Sequence, residues 1–174
     1  CILYEYAEKE PVPVIPMEDT TVGLKYSIRH FYVDSDGTMA DPSQWKKQSQ
    51  ERLAKIQRSL NRMQPGSKNY QEAVQKFYRL HEHIANQRRD YIHKESRRIA
   101  NAWDAVCVRA DEMNELNKIT SLGNVCASGY GMFRECLRYK LARQGKALVI
   151  VDRRFPSTRT CSACGRVMPE EIST

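Results

Sequence analysis

A long helical stretch constrains the fold of this chain more than any other feature. Between Gln44 and Met63 apolar residues recur at helical spacing, and Gln64-Pro65-Gly66 ends the run. A second stretch, from about Asn69 to Ala102, also carries its apolar residues on one stripe. The two stretches predict a pair of long helices connected as a hairpin. Their apolar positions are Leu53, Ile56, Leu60, Met63, Ala73, Phe77, Leu80, Ile84 and Tyr91.

Strand patterns stand on both sides of this helical stretch. Apolar and polar residues alternate in Thr21–Tyr26, as in a half-buried strand, and a second strand follows and closes on an Asp-Gly turn. Ala102–Ala110 and Lys146–Asp152 contain continuous apolar runs, which predict strands covered on both faces. A helix is predicted between them, over about Tyr130–Gln144, with Gly145 as its stop. The residues expected to face inward on it are Met132, Phe133, Cys136, Leu137 and Leu141.

These elements predict an α/β domain with a mixed sheet and an inserted helical hairpin. Prolines recur through Glu8–Pro16, so this segment cannot lie in a helix or a central strand, and we place a linker there. The predicted domains are 1–18, the end of an upstream domain plus this linker; 19–154, with the helical insertion at about 44–102; and 155–174. The first residue is Cys1, so we expect the chain to be the C-terminal part of a longer protein.

The charge of the chain favours a polyanionic partner. Lys and Arg number 28 against 21 Asp and Glu, and the formal net charge is +7. No apolar run in the sequence is long enough to span a membrane, and no stretch has the pattern of a signal peptide. We therefore expect a cytoplasmic protein associated with the prokaryotic nucleoid, with no membrane partner.

Basic residues cluster on the two predicted long helices. One interpretation is a solvated face with salt bridges such as Glu51 with Lys55 and Glu95 with Arg98. We favour a surface that binds phosphates, because the cations outnumber their acidic neighbours. Aromatic residues do not interleave with them, which indicates contact with a duplex backbone rather than base stacking. The predicted nucleic-acid-binding residues are Lys46, Lys47, Arg52, Lys55, Arg58, Arg62, Lys68, Arg88, Arg89, Lys94, Arg97 and Arg98.

Cys161 and Cys164, followed by Gly165, have the spacing of one half of a zinc site. A structural zinc needs four ligands, and these 174 residues offer no second pair at this spacing. A redox role would require the start of a helix in a thioredoxin-like unit, which the surrounding sequence does not provide. We expect the remnant of a zinc ribbon. Zinc binding is possible there, but we expect it to have been lost, and we expect no required cofactor.

Three segments carry a resemblance to a known family: "GLKYSIRHFYVDSDG", "GSKNYQEAVQKFYRLHEHIANQRRDYIHKESRRIANAWDAVCV" and "GYGMFRECLRYKLARQGKALVIVDRRFPSTRTCSACG". Together they resemble the RuvC-like part of transposon-encoded TnpB proteins, which are relatives of type V CRISPR effectors. The resemblance implies an RNase H-like fold with inserted helices and a zinc ribbon. It also implies two partners, a guide RNA and a double-stranded target DNA.

The resemblance further implies three acids that hold two metal ions. The first belongs at Lys25, the second at Arg109 or Ala110, and the third lies past Thr174. Fixed positive charges at two of these positions would repel Mg²⁺, so no catalytic magnesium and no catalytic residue are expected. Lys25 and Arg109 are thus predicted to be degenerate acid positions. They either neutralise phosphate where the metals would have done so, or are tolerated in an emptied pocket or paired to Asp152.

The sequence therefore predicts a protein that is not an enzyme but an RNA-guided DNA-binding repressor, acting by occupying its target. One alternative is a metal-dependent RNA-guided DNA endonuclease that uses substitute acids, for which Asp111 and Glu112 lie nearest in sequence. Another alternative is a transposon-derived fragment without function or with a structural role.

Overall fold

The computed structural model describes residues 10–27, 30–40, 43–110, 125–152, 154–156, 159–161 and 164–168, without the side chains of 43–48, 50 and 125–128. The predicted strand at Cys1–Tyr6 lies outside these residues, and the predicted domain limits stay predictions. The strands are β1 Thr21–Tyr26, β2 Tyr32–Asp34, β3 Met39–Ala40, β4 Ala105–Arg109 and β5 Ala147–Val151. The helices are α1 Ser43–Leu60, α2 Lys68–Ala102 and α3 Val125–Arg143.

The five strands form one mixed sheet in the order β3-β2-β1-β4-β5. β1, β2 and β3 pair antiparallel in sequence order, while β4 pairs parallel with both β1 and β5. The helical hairpin lies between β3 and β4 in the chain, and α3 connects β4 to β5. This order confirms the predicted α/β domain with a mixed sheet. The short strand β3, after the Asp-Gly turn, was not predicted.

One face of the central strands forms the core. Val22 and Leu24 of β1 are buried beside Val106 and Val108 of β4, because the two strands are in register with Leu24 opposite Val108. These side chains belong to one cluster with apolar residues of α2 and α3. On α3 the residues predicted to face inward are buried or pack against this cluster, so that prediction is confirmed. The helix begins at Val125, five residues before the predicted start.

The prediction that β5 is a strand covered on both faces is wrong. Val149 is 44% exposed and Ile150 is 55% exposed. β5 is the last strand in the sheet order, so only β4 pairs with it, and Ile150 is exposed although its partner Val108 is buried. On β4, Cys107 is only partly buried between the buried Val106 and Val108. The apolar run therefore predicted the strand correctly, but the prediction that both of its faces are buried was wrong.

The helical hairpin forms as predicted, and α2 starts one residue before the expected position. Ser67 caps α2 by accepting a hydrogen bond from the Tyr70 N–H at 3.2 Å, and Gly66 supplies the positive φ that the turn needs. The 35 residues of α2 extend for about 52 Å. Its buried residues begin at Ile84, so the first part of α2 packs mainly against α1.

An ion pair and a tyrosine hold α2 against β2. The Tyr32 hydroxyl donates a hydrogen bond to Glu95, and Arg98 donates to both Glu95, at 2.7 Å, and the Tyr32 oxygen, at 2.8 Å. Burial alone would raise the pKa of Glu95, but the hydrogen bonds from Arg98 and Tyr32 hold that pKa below its usual value. Burial raises the pKa of Tyr32, so its hydroxyl stays protonated.

Lys140 connects α3 to α2 in a similar way. Its ammonium group is buried and donates hydrogen bonds to the His93 carbonyl, at 2.7 Å, and to Ser96 Oγ, at 2.6 Å. Burial lowers the pKa of Lys140. Both of its partners are hydrogen-bond acceptors, which suits the charged ammonium group because that group only donates. The two helices that cover the sheet are thus fixed to each other by hydrogen bonds as well as by apolar contact.

Gly145 ends α3 and allows a close backbone contact. Its φ is +70°, and a Cβ atom there would lie 2.1 Å from the Val12 carbonyl oxygen. The Val14 N–H donates to the Gly145 carbonyl at 2.8 Å. The described part of the predicted linker has no regular secondary structure and is attached here to the main fold.

We predict that Glu95→Gln lowers the free energy of unfolding by about 1–2 kcal/mol at pH 7, because it weakens bonds to Arg98 and Tyr32 in a pair that is partly screened by water. The folded-state pKa is lowered, so this contribution is complete above the ordinary value of 4.5 and is lost as the pH falls through the folded pKa. Denaturant unfolding at several pH values measures it.

Glu135→Gln is the matched control, since Glu135 pairs with Arg138 on an exposed surface. It should change stability by less than about 0.5 kcal/mol. An equal loss of stability in both variants would contradict the stabilising role assigned to Glu95. A loss for Glu95→Gln that does not shrink in acid would contradict it as well.

Candidate nucleic-acid interface

Four cations lie along α1 and the turn that follows it: Arg52, Lys55, Arg58 and Arg62. We call them the α1 row. All four are exposed, and within the described part of the chain none of them lies within 4.0 Å of a carboxylate. The predicted Glu51–Lys55 salt bridge does not form. Three of the row, with Ser59 and Met63, line a shallow concave surface at the end of α1. The α1 row is therefore a positive surface that no carboxylate among the described residues neutralises.

The predicted residues on α2 are more varied in their contacts. Lys94 forms a salt bridge with Asp90 at 2.7 Å, and Arg98 is committed to Glu95, so the interpretation of a salt-bridged face holds for both. Arg88 is half-buried and lies beside Gly129. The remaining cations are exposed: Lys68, Arg89 and Arg97. The side chains of Lys46 and Lys47 lie outside the described residues.

A second feature is a cleft of about 420 Å³ on the open face of the sheet. Lys25 of β1 and Arg109 of β4 line it, together with Cys107, Asp34, Asp152 and Phe155. Leu24 pairs with Val108, so the residues that follow them, Lys25 and Arg109, are neighbours on adjacent strands. Strands of one sheet lie about 4.8 Å apart. The sheet thus brings together the two positions that the sequence marked as degenerate acids.

The two carboxylates at the cleft are held by turns. Asp34 Oδ1 accepts hydrogen bonds from the N–H groups of Asp36, at 3.1 Å, and Thr38, at 2.7 Å. Asp152 Oδ1 accepts from the Arg154 N–H at 2.7 Å. Among the described residues, no salt bridge joins Asp152 to Lys25 or Arg109.

A divalent metal does not fit the described part of this cleft. No group of three or more His, Cys, Asp or Glu side chains that could hold a metal occurs among the described residues. Two divalent ions need several converging carboxylates, and Lys25 and Arg109 add positive charge where those would be required. Burial raises the pKa of the Cys107 thiol, so it too is a poor metal ligand here.

The backbone around Cys161 and Cys164 forms a tight turn. The Gly165 N–H donates to the Cys161 carbonyl and the Cys161 N–H donates to the Arg166 carbonyl, both at 2.9 Å. Thr160 and Val167 form an antiparallel bridge across the turn, and Gly165 has a φ of +69°. Cys161 is partly buried and Cys164 is exposed. The turn presents at most two thiolates of a tetrahedral zinc site.

The sequence did not reveal Phe155 as part of the cleft. It is 50% exposed and lies just after the end of β5. The signal available was an aromatic residue within the segment Arg153-Arg154-Phe155-Pro156 directly after an apolar strand. Only the sheet order, which brings the end of β5 next to β4, shows that this residue lines the same cleft as Lys25 and Arg109.

Residues 2–119 match the OrfB_IS605 family, described as "Probable transposase". The match covers more than half of the chain, so the chain belongs to this family. Residues 130–173 match a second family, described as "Cas12f1-like, TNB domain". The TnpB-like resemblance of the sequence is thereby confirmed at the level of the family.

Two curated relatives are each 30% identical to this chain. One is "Putative RNA-guided DNA endonuclease" of Streptomyces pristinaespiralis, aligned over 91% of this chain and 40% of the relative. The other is "Putative RNA-guided DNA endonuclease InsQ" of Escherichia coli K12, aligned over 91% of this chain and 43% of the relative. The chain thus spans about two fifths of the length of these relatives.

A solved structure shares the fold. The "Cryo-EM structure of the Cas12f1-sgRNA-target DNA complex" contains a chain that matches with a TM-score of 0.58 and 16% identity, over 88% of this chain and 41% of that one. At this identity the match shows the fold alone. Among the described residues, no helix is long and apolar enough to cross a membrane.

These comparisons correct one prediction. The sequence was interpreted as that of a protein without enzymatic activity, because Lys25 and Arg109 occupy two expected acid positions. The relatives are named as RNA-guided DNA endonucleases, which points to an enzyme, and the prediction is wrong on that finding. Positive charge at two expected acid positions was not enough to exclude an enzyme, because carboxylates from other segments can complete a metal site.

We predict that the purified 174-residue chain holds well under one tightly bound zinc per molecule, because two thiolates leave half of the coordination shell to be filled. Elemental analysis after dialysis measures the content. The Cys161→Ser/Cys164→Ser variant sets the baseline. Stoichiometric zinc that disappears in this variant would show instead that other ligands complete the site.

Proposed function

We propose that this chain is the RuvC-like part of an RNA-guided DNA endonuclease and that it holds the heteroduplex of guide RNA and target DNA. The observation that carries the proposal is the α1 row, four exposed cations with no carboxylate partner in the described residues. A protein that associates with DNA in this way would be found with the prokaryotic nucleoid.

The strand order supports an RNase H-like fold as part of this proposal. The sheet has three antiparallel strands followed by two parallel ones, in the order β3-β2-β1-β4-β5, and this mixed arrangement is compatible with the RNase H-like fold that the resemblance implied. The helical hairpin would then be the family's insertion, and the turn at Cys161–Cys164 would be part of a zinc ribbon. The match to a Cas12f1-like domain over residues 130–173 includes this turn and is compatible with the zinc-ribbon assignment.

Binding through the α1 row would be independent of base sequence. Lys and Arg side chains neutralise phosphates and release condensed counterions, which strengthens binding at low salt. Their contacts set the position of the duplex, while base pairing between guide and target reads the sequence. The row extends along α1 and into the turn that follows it, which suits a regular backbone of phosphates better than a single small anion.

We predict that Arg52→Gln/Arg58→Gln weakens the binding of the full-length protein to matched and mismatched targets alike. Each lost phosphate contact should reduce the slope of log affinity against log salt by about 0.7–0.9. The thermal melt should barely change, because exposed substitutions stay within about 0.5 kcal/mol. Binding isotherms over a salt series, run beside the melts, measure both quantities.

Arg138→Gln/Arg143→Gln is the matched control, because it removes the same charge from exposed positions of α3. It should leave the salt slope within error of the wild type. If the two double variants behave alike, net charge rather than the α1 row governs binding, and the assignment of this surface fails.

The relatives' names extend the proposal to cleavage of the bound DNA. The described cleft does not fit a divalent metal, so the acids for cleavage would come from residues outside the described part. Asp111 and Glu112 follow β4 in the sequence and are the nearest acids there. We expect Mg²⁺-dependent cleavage of matched DNA by the full-length protein with its guide, lost in Asp111→Asn/Glu112→Gln while binding is kept. Cleavage that survives this change would show that other acids act.

A second candidate function is repression of transcription by target occupancy. It is favoured by the same α1 row, because occupancy depends on affinity and on residence time alone. Repression would therefore be lost in Arg52→Gln/Arg58→Gln and kept in the control, in parallel with binding. A reporter gene with the target at its promoter measures this directly.

A further inference from the structure

In the described part of the chain, the last strand of the sheet has one edge without a partner strand. β5 pairs only with β4, in parallel. Its Ala147 N–H donates to the Asp104 carbonyl at 3.1 Å. Its Val151 carbonyl accepts from the Ala110 N–H at 2.9 Å. The backbone groups of successive residues point to opposite edges of a strand, so those of Val149 also face β4 and those between face away.

The open edge of β5 carries the N–H and C=O groups of Leu148 and Ile150. Among the described residues, no other segment bonds to these four groups. The strand adds apolar surface, since the side chains of Val149 and Ile150 are both exposed. β5 contains no charged residue and no proline, the features by which many edge strands avoid pairing with another chain. Such an edge is a template for one more strand.

The open edge is complementary to a second copy of itself. Its two residues with outward backbone groups, Leu148 and Ile150, lie on either side of Val149. An antiparallel copy centred on Val149 would place Leu148 opposite Ile150 of the second copy, and each of the two such pairs can exchange two hydrogen bonds. Val149 would then face Val149 of the second copy across a two-fold axis. The exposed apolar side chains of both copies would cover each other.

The charges at the two ends of β5 also favour an antiparallel copy. Lys146 precedes the strand and Asp152 follows it, so antiparallel pairing brings the positive end of one strand beside the negative end of the other. Pairing in the same direction would place like charges side by side. The Lys146 ammonium donates to the Ala100 carbonyl at 2.9 Å and lies 3.5 Å from Asp104, so it keeps these partners and adds only a modest attraction.

We infer that β5 pairs antiparallel with β5 of a second copy of this chain, which joins the five-stranded sheets of two copies into one continuous sheet. A contact between two strands of five residues is smaller than a standard interface of about 20–30 residues a side, so the dimer is weak. A dissociation constant of about 10–100 μM is expected. The inference does not depend on the proposed function, because the α1 row plays no part in this contact.

Sedimentation velocity of the full-length protein without nucleic acid, over a series of concentrations, tests this contact. The wild type should shift from monomer to dimer as the concentration rises. Val149→Lys should raise the dissociation constant by about tenfold or more, because two like charges would meet at the two-fold axis. The thermal melt should barely change, since Val149 is exposed. Met39→Lys is the matched control, because it adds the same charge at an exposed position of β3, at the other edge of the sheet, and should leave dimerisation unchanged.

A cysteine at the axis identifies the contact directly. Val149→Cys should form a disulfide-linked dimer with oxidised glutathione, because facing Cα atoms in such a pair lie about 4.5 Å apart, whereas Met39→Cys and the wild type should not.

Hydrogen exchange identifies the occupant of the edge. The amides of Leu148 and Ile150 should exchange rapidly in the dilute protein and slowly in the concentrated one. Slow exchange in the dilute protein would show that another segment of the same chain fills the edge, and would overturn the inference. A protein that stays monomeric at concentrations far above the expected dissociation constant would overturn it too, as would a dimer that neither weakens in Val149→Lys nor crosslinks in Val149→Cys.

Discussion

The parallel pairing of β1 with β4 is the contact on which the rest of this structure depends. It joins two segments that the whole helical hairpin separates in sequence, with Leu24 opposite Val108 in the buried core. The same register places Lys25 beside Arg109 on the other face. One register thus fixes the core, the direction in which α2 returns to the sheet, and the chemistry of the cleft. A shift by one residue would move the cations into the core and the apolar side chains into the cleft, so the core protects the site geometry.

Much of the fold could be predicted because the local patterns are strong. The apolar stripe of α2 gave its limits within one residue, and Gly145 marked the end of α3 by its backbone requirement. The exposure of Val149 and Ile150 could not be predicted, because an apolar run predicts a strand but does not tell how many layers cover it. Phe155 escaped notice because its neighbours in the cleft come from β1 and β4, far away in sequence.

The charges of the molecule serve two different purposes. Some are internal: Glu95 with Arg98 on α2, and Lys140 between α2 and α3, hold the helices on the sheet. Others, in the α1 row, lack carboxylate partners within the described residues, and such cations suit phosphates. Sequence alone did not separate these two groups, since it shows which charges are near in the chain but not which are paired across elements. Membership in the OrfB_IS605 family gives the unpaired group its most economical role, as contacts to nucleic acid.

The most direct measurement is a structure of the full-length protein bound to its guide RNA and matched DNA. The account predicts backbone phosphates of the heteroduplex within hydrogen-bonding distance of at least two residues among Arg52, Lys55, Arg58 and Arg62. A complex in which these side chains face solvent or another part of the protein, with the heteroduplex bound elsewhere, would contradict it.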